Sequence, residues 1–299
     1  MKQYATFSIE CTFTNESLVG IYNDFREKCK KYCIDEDMEL YRIPLGTKTY
    51  DYAHELALKY PDKRNDDEIM NDKPVMYIDE IEIFITYEKA DYEKAVAYRV
   101  NFWYLAYDYE DGTPDDFAGY CCDKPDWSIQ IGKVQNRNYR IPKSEFGKRK
   151  YAMMMLGYAV ADEVRDLLIN SGLATERDFL EVITRRGAHI CWQIMPEHEF
   201  SGFMEENDGE LIDTCQTCGM KRYQPLHEPY RMSREQAEKL YGLNRTHEMT
   251  GPIMEEGTEV EGPKAEHILE PLYIINREAY SVLHKNYPRM QFVPIFAKK

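Results

Sequence analysis

The chain has 299 residues, a hydrophobic fraction of 43% and a net charge of −15 at pH 7, from 53 acidic and 38 basic residues. Its 24 Tyr, 12 Phe and 3 Trp exclude an intrinsically disordered chain, which lacks the aromatic residues that build a core. The length fits one large domain or two modest ones.

The negative charge restricts the class of partner. It repels a phosphate backbone unless basic residues form a patch, and the sequence contains no basic run of that kind. We therefore expect no nucleic-acid binding. The same charge speeds encounter with a basic protein, although many acidic proteins carry such charge for solubility alone.

The N-terminal segment MKQYATFSIECTFTN alternates polar and apolar residues, which predicts a strand and not a signal peptide. No apolar run reaches the roughly 18 to 20 residues that span a bilayer. We therefore expect a soluble, cytoplasmic protein with no membrane association. Its eight cysteines should then stay reduced, and most should be small core residues.

The first half of the chain is predicted to be an α+β region. Apolar residues at helical spacing predict a helix in NESLVGIYNDFREKCKKYCI, with Asn15 as its N-cap. MELYRIPL is predicted as a strand and DYAHELALKY as a second helix. From Val75 to Tyr109, bursts of β-branched and aromatic residues predict antiparallel strands. A segment rich in turn residues and acids follows, so we place a boundary near residue 145.

The second half, residues 146–299, contains two segments that share a pattern. Residues 159–183 and 274–296 each have an apolar entry, an acidic helix start, paired apolar residues and a strand. The matched pairs are Val160 with Ile275, Glu163 with Glu278, Val164 with Ala279, Leu168 with Leu283, and Phe179 with Phe292. The pattern predicts a repeated αβ unit, although two such segments also arise by chance in α+β proteins. The predicted fold class is α+β, with mixed or antiparallel sheets and packed helices.

Between these segments, GAHICWQIMPEHEF is predicted as a buried strand. SREQAEKLYGL is predicted as a helix, with a capping box formed by Ser233 and Gln236.

The most specific chemical pattern is DTCQTCGMKRYQPLH, residues 213–227. In a CxxCG sequence two thiolates bind one metal, and the glycine lets the backbone turn. Cys215, Cys218 and Gly219 fit this pattern, which predicts a structural zinc. The sequence has no second CxxC, so the other two ligands would come from Cys121, Cys122, Cys191, His189, His198 or His227.

His227 is the candidate closest in sequence, and we predict it as the third ligand, with the fourth unassigned. A metal-free turn is the alternative. A thioredoxin-like redox pair is disfavoured, because Cys215 does not lie between a recognisable strand and a helix.

Enzymes with common catalytic motifs are excluded by the sequence. HEMTG lacks the second histidine of a metalloprotease helix, and no phosphate loop or nucleophile elbow occurs. A noncanonical Cys/His site is the enzymatic alternative: His189 and Cys191 would share one face of a strand, and His198 is a further candidate base. Packing of a buried cysteine is the simpler interpretation.

The order AVADEVRDLL, FLEVI, CQTCG and PLYIINREAYSVLHKNYPRMQFVPIF resembles the double-CxxCG and related immunity proteins of bacterial polymorphic toxin systems. The resemblance covers about the C-terminal half of the chain. It implies a protein that is not an enzyme and that binds and neutralises a cognate toxin. The chain departs from the family pattern in having a single CxxCG, and the N-terminal half is not covered.

We expect a protein partner, and specifically a basic toxin. Acids steer such a partner and aromatic side chains anchor it, so we predict contacts in the acidic turn before residue 145. The predicted contact residues are Tyr107, Tyr109, Asp111, Asp115, Asp116 and Trp127. An acidic protein that mimics nucleic acid is a third hypothesis, and it requires carboxylates spaced along one exposed face.

Overall fold

A computed structural model of the chain describes residues 1–11, 16–36, 38–60, 76–102, 138–154, 157–250 and 270–298. The chain divides into two compact units, Met1–Ala90 and Asp91–Lys299. Both combine helices with mixed or antiparallel sheets, which confirms the predicted α+β class. Among the described residues, no helix is both long enough and apolar enough to cross a membrane.

The N-terminal unit is an antiparallel sheet packed against helices. Its elements are β1 (Lys2–Cys11), α1 (Glu16–Cys29), a 3-10 turn (Lys30–Tyr32), β2 (Cys33–Asp35), β3 (Leu40–Pro44), α2 (Lys48–Lys59) and β4 (Met76–Thr86). The strand order is β2-β3-β1-β4. Helix α2 begins before the predicted segment, because the Thr47 hydroxyl accepts a hydrogen bond from the Tyr50 N–H and caps the helix there.

Helices α1 and α2 share a core with this sheet. Phe7 and Ile9 are buried two residues apart on β1, as the period of a strand requires, and they belong to a cluster with Phe25 of α1 and Ala53 of α2. Phe25 meets Tyr41 of β3 edge-on, with 5.2 Å between the ring centroids. Burial of each large side chain contributes roughly 1.5–3 kcal/mol, so this cluster holds the helices to the sheet.

The C-terminal unit is larger, and helix α3 (Lys89–Lys94) spans the boundary before it. Its elements begin with β5 (Ala97–Val100), α4 (Lys143–Phe146), β6 (Tyr151–Met153), β7 (Tyr158–Val160), α5 (Asp162–Asn170), a 3-10 turn (Glu176–Asp178), β8 (Phe179–Ile183), β9 (His189–Ile194) and β10 (Glu199–Phe200). They continue with α6 (Phe203–Glu206), β11 (Leu211–Thr214), β12 (Lys221–Tyr223), β13 (Arg231–Met232), α7 (Arg234–Glu238), β14 (Leu243–Thr250), β15 (Glu270–Asn276), α8 (Arg277–Asn286) and β16 (Phe292–Ala297).

These strands form two sheets. The larger sheet has the order β11-β12-β14-β15-β5-β16-β13, with β10 also beside β14. It is mixed: β10 and β12 run parallel to β14, whereas β5 is antiparallel to both of its neighbours. The smaller sheet has the order β6-β7-β9-β8 and is antiparallel throughout.

The two segments predicted as αβ repeats have the same topology. Strands β7 and β8, joined through α5, both pair antiparallel with β9, which lies between them. Strands β15 and β16, joined through α8, flank β5 in the same way. A helix that connects two strands on either side of a third strand is a split β-α-β unit. Each of the two sheets therefore contains one split β-α-β unit.

The positions matched in the sequence lie in one core. Val164 and Leu168 of α5 are buried in the same apolar cluster as Ala279 and Leu283 of α8. Their spacing of four residues places each pair on one face of its helix. The two helices therefore bury equivalent faces in a cluster that includes residues of both sheets.

The boundary of the structure differs from the one predicted near residue 145. Strand β5 lies between β15 and β16, so the chain from Asp91 onward belongs to the C-terminal unit. In the sequence, β5 follows β4 closely, and this spacing is typical of two strands that pair with each other. Its hydrogen-bonding partners instead come from the end of the chain, and local spacing carries no information about such distant pairing.

Candidate functional site

Cys215 and Cys218 lie in the turn of a tight hairpin. Strands β11 and β12 pair antiparallel on either side of the turn. The Cys215 N–H donates to the Met220 carbonyl, and the Gly219 N–H donates to the Cys215 carbonyl, both at 2.8 Å. Gly219 has φ of +75°, a left-handed conformation that favours glycine. The structure therefore forms the turn that the CxxCG pattern predicts.

The second strand of this hairpin contacts helix α6. Tyr223 is buried, and its hydroxyl donates to Glu205 Oε1 over 2.9 Å. Lys221 forms an ion pair with the same carboxylate. Hydrogen bonds from Lys221 and Tyr223 lower the pKa of Glu205. These contacts of β12 with Glu205 therefore hold the stem of the hairpin to helix α6.

The turn presents its two thiols differently, since Cys215 is buried and Cys218 is exposed. His227, the predicted third ligand, is exposed. It follows Gln224, whose N–H bonds to the Glu210 carbonyl at the open end of the hairpin. The chain therefore leaves the hairpin at the end opposite the cysteine turn, three residues before His227.

The other zinc ligands remain unassigned. In the described part of the chain, no group of three or more His, Cys, Asp or Glu side chains is arranged to hold a metal. Cys121 and Cys122 lie outside the described residues. The hairpin thus has the donor atoms for half of a tetrahedral zinc site, and zinc binding stays a prediction.

A β-bulge separates the predicted pair His189 and Cys191. Cys191 pairs with Val182, but His189 pairs with Ile183, which leaves one extra residue on β9. Cys191 is fully buried, and burial raises the pKa of its thiol. His189 instead contacts the ring of Trp192, with 5.0 Å between centroids. The two side chains do not share a face as predicted.

His189 is engaged by carboxylates on both sides of its ring. Its Nδ1 lies 3.0 Å from Glu181 Oε1 and its Nε2 lies 3.0 Å from Asp162 Oδ1. The Trp192 Nε1–H also donates to Asp162, over 2.6 Å. No ring nitrogen remains to activate a thiol, so this geometry gives no support to a Cys–His nucleophile. His198 lines a separate shallow pocket.

The contacts predicted for a basic partner cannot be placed, because all of them lie outside the described residues. They are Tyr107, Tyr109, Asp111, Asp115, Asp116 and Trp127.

A different acidic surface lies on β4 of the N-terminal unit. Ile81 and Ile83 are 55% and 60% exposed, and the neighbouring Asp79 and Glu82 are also exposed. In the described residues β4 pairs with β1 alone, so its other edge faces no strand. The segment YIDEIEIFITYE was predicted as a strand, but alternation does not distinguish isoleucines that enter a core from isoleucines at an open edge.

No family model, curated protein or solved structure matches this chain.

The C-terminal unit also contains a partly buried polar cluster that the sequence did not reveal. Arg99 of β5 donates to the Tyr230 hydroxyl, and its guanidinium lies 5.4 Å from the centre of that ring. The Gly157 N–H donates to Glu270 Oε2 over 3.1 Å. These groups come from segments far apart in sequence, so no local motif marks them.

Burial controls the ionisation of this cluster. It raises the pKa of Glu270, while the Gly157 N–H and the charge of Arg99 partly oppose the rise. Burial also raises the pKa of Tyr158 to about 12. The cluster joins β5, β7 and β15 through polar contacts inside the unit, and a structural role accounts for the geometry described.

Proposed function

We propose that this chain is a non-catalytic, immunity-like protein that binds and neutralises a cationic protein toxin. The observation that carries the proposal is the exposed surface of β4, where Ile81 and Ile83 lie beside Asp79 and Glu82. Apolar side chains gain free energy when a partner removes them from water, and carboxylates favour a basic partner. The net charge of −15 extends this attraction beyond the surface.

The cysteine hairpin has a structural role in this proposal. Cys215 and Cys218 bind a structural zinc together with ligands still unassigned, or they form a metal-free turn. Zinc bound there would cross-link the turn to another segment of the chain. The resemblance of the CQTCG sequence and its flanking segments to immunity proteins supports a binding function over catalysis.

The proposal places the chain in the cytoplasm, where an immunity protein of this class protects the cell that produces the toxin. It is tested by co-expression. Each reading frame beside the gene for this chain is induced in a bacterial host with and without the chain, and growth is recorded. We expect one frame to arrest growth and the chain to restore it.

An acidic protein of equal charge, expressed at the same level, is the control for charge alone. If no neighbouring frame is toxic, or if the chain restores growth in none of them, the proposed function is wrong.

A further inference from the structure

The open edge of β4 combines two features that bear on its partner. The strand runs for 11 residues; near its start the Ile78 N–H donates to the Tyr60 carbonyl over 2.9 Å, and no strand lies beside its far side within the described ranges. An open edge presents backbone N–H and C=O groups to another chain. Ile81 and Ile83 are both more than half exposed at this edge. Backbone pairing and apolar contact are therefore available along the same stretch of β4, beyond Ile78.

A β-bulge lies at the centre of this stretch. Thr6 pairs with Glu82 and Phe7 pairs with Glu80, so Ile81 is the extra residue on β4. A bulge interrupts a regular ladder and twists the strand. It therefore restricts pairing to partners that accept the local twist.

The carboxylates at this edge argue against a second copy of the chain as the occupant. Asp79 and Glu82 are exposed, and neither contacts a cation among the described residues. Two copies paired along β4 would bring these like charges together, which destabilises cross-strand pairs. A strand with basic residues would instead place opposite charges across the pair.

Helix α2 contacts β4 and carries one more exposed apolar side chain. His54 Nδ1 lies 2.6 Å from Glu80 Oε2, which places this face of the helix against β4. Leu58 lies one turn further along α2 and is 71% exposed. The helix that contacts β4 therefore also carries an exposed apolar side chain.

We propose that the open edge of β4 takes up an extended segment of the partner protein, with alternating basic and apolar side chains, as an added strand. The inference rests on the proposed function for the identity of the partner. The chemistry of the segment follows from the edge: backbone groups pair with β4, apolar side chains contact Ile81 and Ile83, and basic side chains meet Asp79 and Glu82.

The probe for this proposal is a fluorescein-labelled octapeptide of alternating lysine and valine, and its binding to the full chain is measured by fluorescence anisotropy. We expect saturable binding to the wild type. Glu82→Lys and the double variant Ile81→Ser/Ile83→Ser should each weaken it by about tenfold or more. Glu82→Gln, a milder change, should weaken it less.

Two matched controls separate the edge from general effects. Glu27→Lys makes the same change in net charge at an exposed position of α1, and Ile34→Ser removes a half-exposed isoleucine from β2 at the other end of the sheet. Both should bind as the wild type does. Circular dichroism and melting temperature confirm that each variant is folded.

The peptide with its four central amides N-methylated tests strand pairing itself, since it keeps the charges and loses the backbone donors. We expect it not to bind. The proposal is overturned if the lysine–valine peptide does not bind, if the controls lose as much affinity as the edge variants, if the methylated peptide binds equally well, or if the wild type is a dimer that Ile81→Ser/Ile83→Ser dissociates.

Failure of this inference is distinguishable from failure of the proposed function. If variants of β4 fail to bind the peptide but still restore growth, the result contradicts the role of the docking edge and leaves toxin neutralisation supported. Peptide binding at β4 by a chain that rescues growth from no neighbouring frame would contradict the proposed function and leave the docking edge supported.

Discussion

Gly157 is subject to two constraints at once. Its φ is +73°, and a Cβ atom placed on it would lie 2.8 Å from the Tyr273 hydroxyl oxygen. Gly172 has a similar φ of +69°, but nothing lies within 4 Å of its Cβ position. The two glycines therefore separate the cost of backbone conformation from the cost of a steric clash.

We predict that Gly157→Ala lowers the free energy of unfolding by roughly 2–4 kcal/mol, because strain at positive φ and overpacking against Tyr273 add. Gly172→Ala should cost about 1 kcal/mol from strain alone. Urea denaturation of both variants measures the difference. Equal losses for the two variants would show that Tyr273 moves aside without cost.

Glu270 makes the stability of the fold depend on pH, and the raised pKa of its carboxyl sets the direction of that dependence. Burial raises its pKa above the ordinary value of 4.5, so the folded state holds the proton more tightly than the unfolded state. This contribution to stability is present below pH 4.5 and is lost as the pH rises through the folded pKa. Glutamine at this position keeps an acceptor for the Gly157 N–H and does not titrate.

We therefore predict that Glu270→Gln gains melting temperature relative to the wild type as the pH rises from 4 to 7. Differential scanning calorimetry at intervals over this range checks the trend. The comparison with the wild type cancels the opposite trend of carboxylates such as Glu199 and Glu205, whose pKa values are lowered in the fold. A constant difference between the two proteins would contradict the burial of a titrating Glu270.

Single residues show what sequence can and cannot predict. Ser233 accepts a hydrogen bond from the Gln236 N–H, as the capping pattern predicts. The return bond is different: Glu206 accepts from the Ser233 N–H, and the Gln236 side chain donates to the Ser201 carbonyl. The local bond depends on spacing alone, whereas the other two depend on tertiary packing.

At the scale of elements, the cysteine hairpin leads to a prediction about metal. Protein purified without a metal-affinity tag should contain about one zinc per chain by elemental analysis. Cys215→Ser/Cys218→Ser should lose the metal and melt roughly 5 °C lower or more, because the cross-link is lost. Cys33→Ser, in the N-terminal unit, is the control and should keep the zinc. If the wild type contains no metal and the double variant is equally stable, the zinc prediction is wrong and the turn forms without metal.

Elements with strong local signals were predictable, and their partners were not. The helical spacing in residues 159–183 and 274–296 identified α5 and α8 with their buried faces, because burial follows the period of the helix. The bulge beside His189 and the insertion of β5 between β15 and β16 depend on pairing between distant segments. The two-residue period of a strand predicted His189 on the same face as Cys191. The prediction was wrong because the extra residue of the bulge places the two side chains on opposite faces.

At the scale of the whole molecule, the two units carry different features. The N-terminal unit has the acidic edge of β4, which pairs with no strand on its far side in the described residues, and the C-terminal unit has the cysteine hairpin and the two split β-α-β units. The sequence predicted the charge that favours a basic partner, but the expected contact residues before position 145 lie outside the described residues. The exposure of isoleucines beside carboxylates on β4 depends on the folded sheet, so the amino-acid composition does not predict it.

The central claim is that the chain neutralises a toxin by binding it and not by chemical modification. The most direct test is a titration of the purified toxin, identified by growth rescue, with the purified chain while residual toxin activity is measured. We predict a linear fall to zero at about one chain per toxin, with both proteins recovered unmodified from a complex. Inactivation at far smaller amounts of chain, increasing with time, would instead show catalysis and contradict the claim.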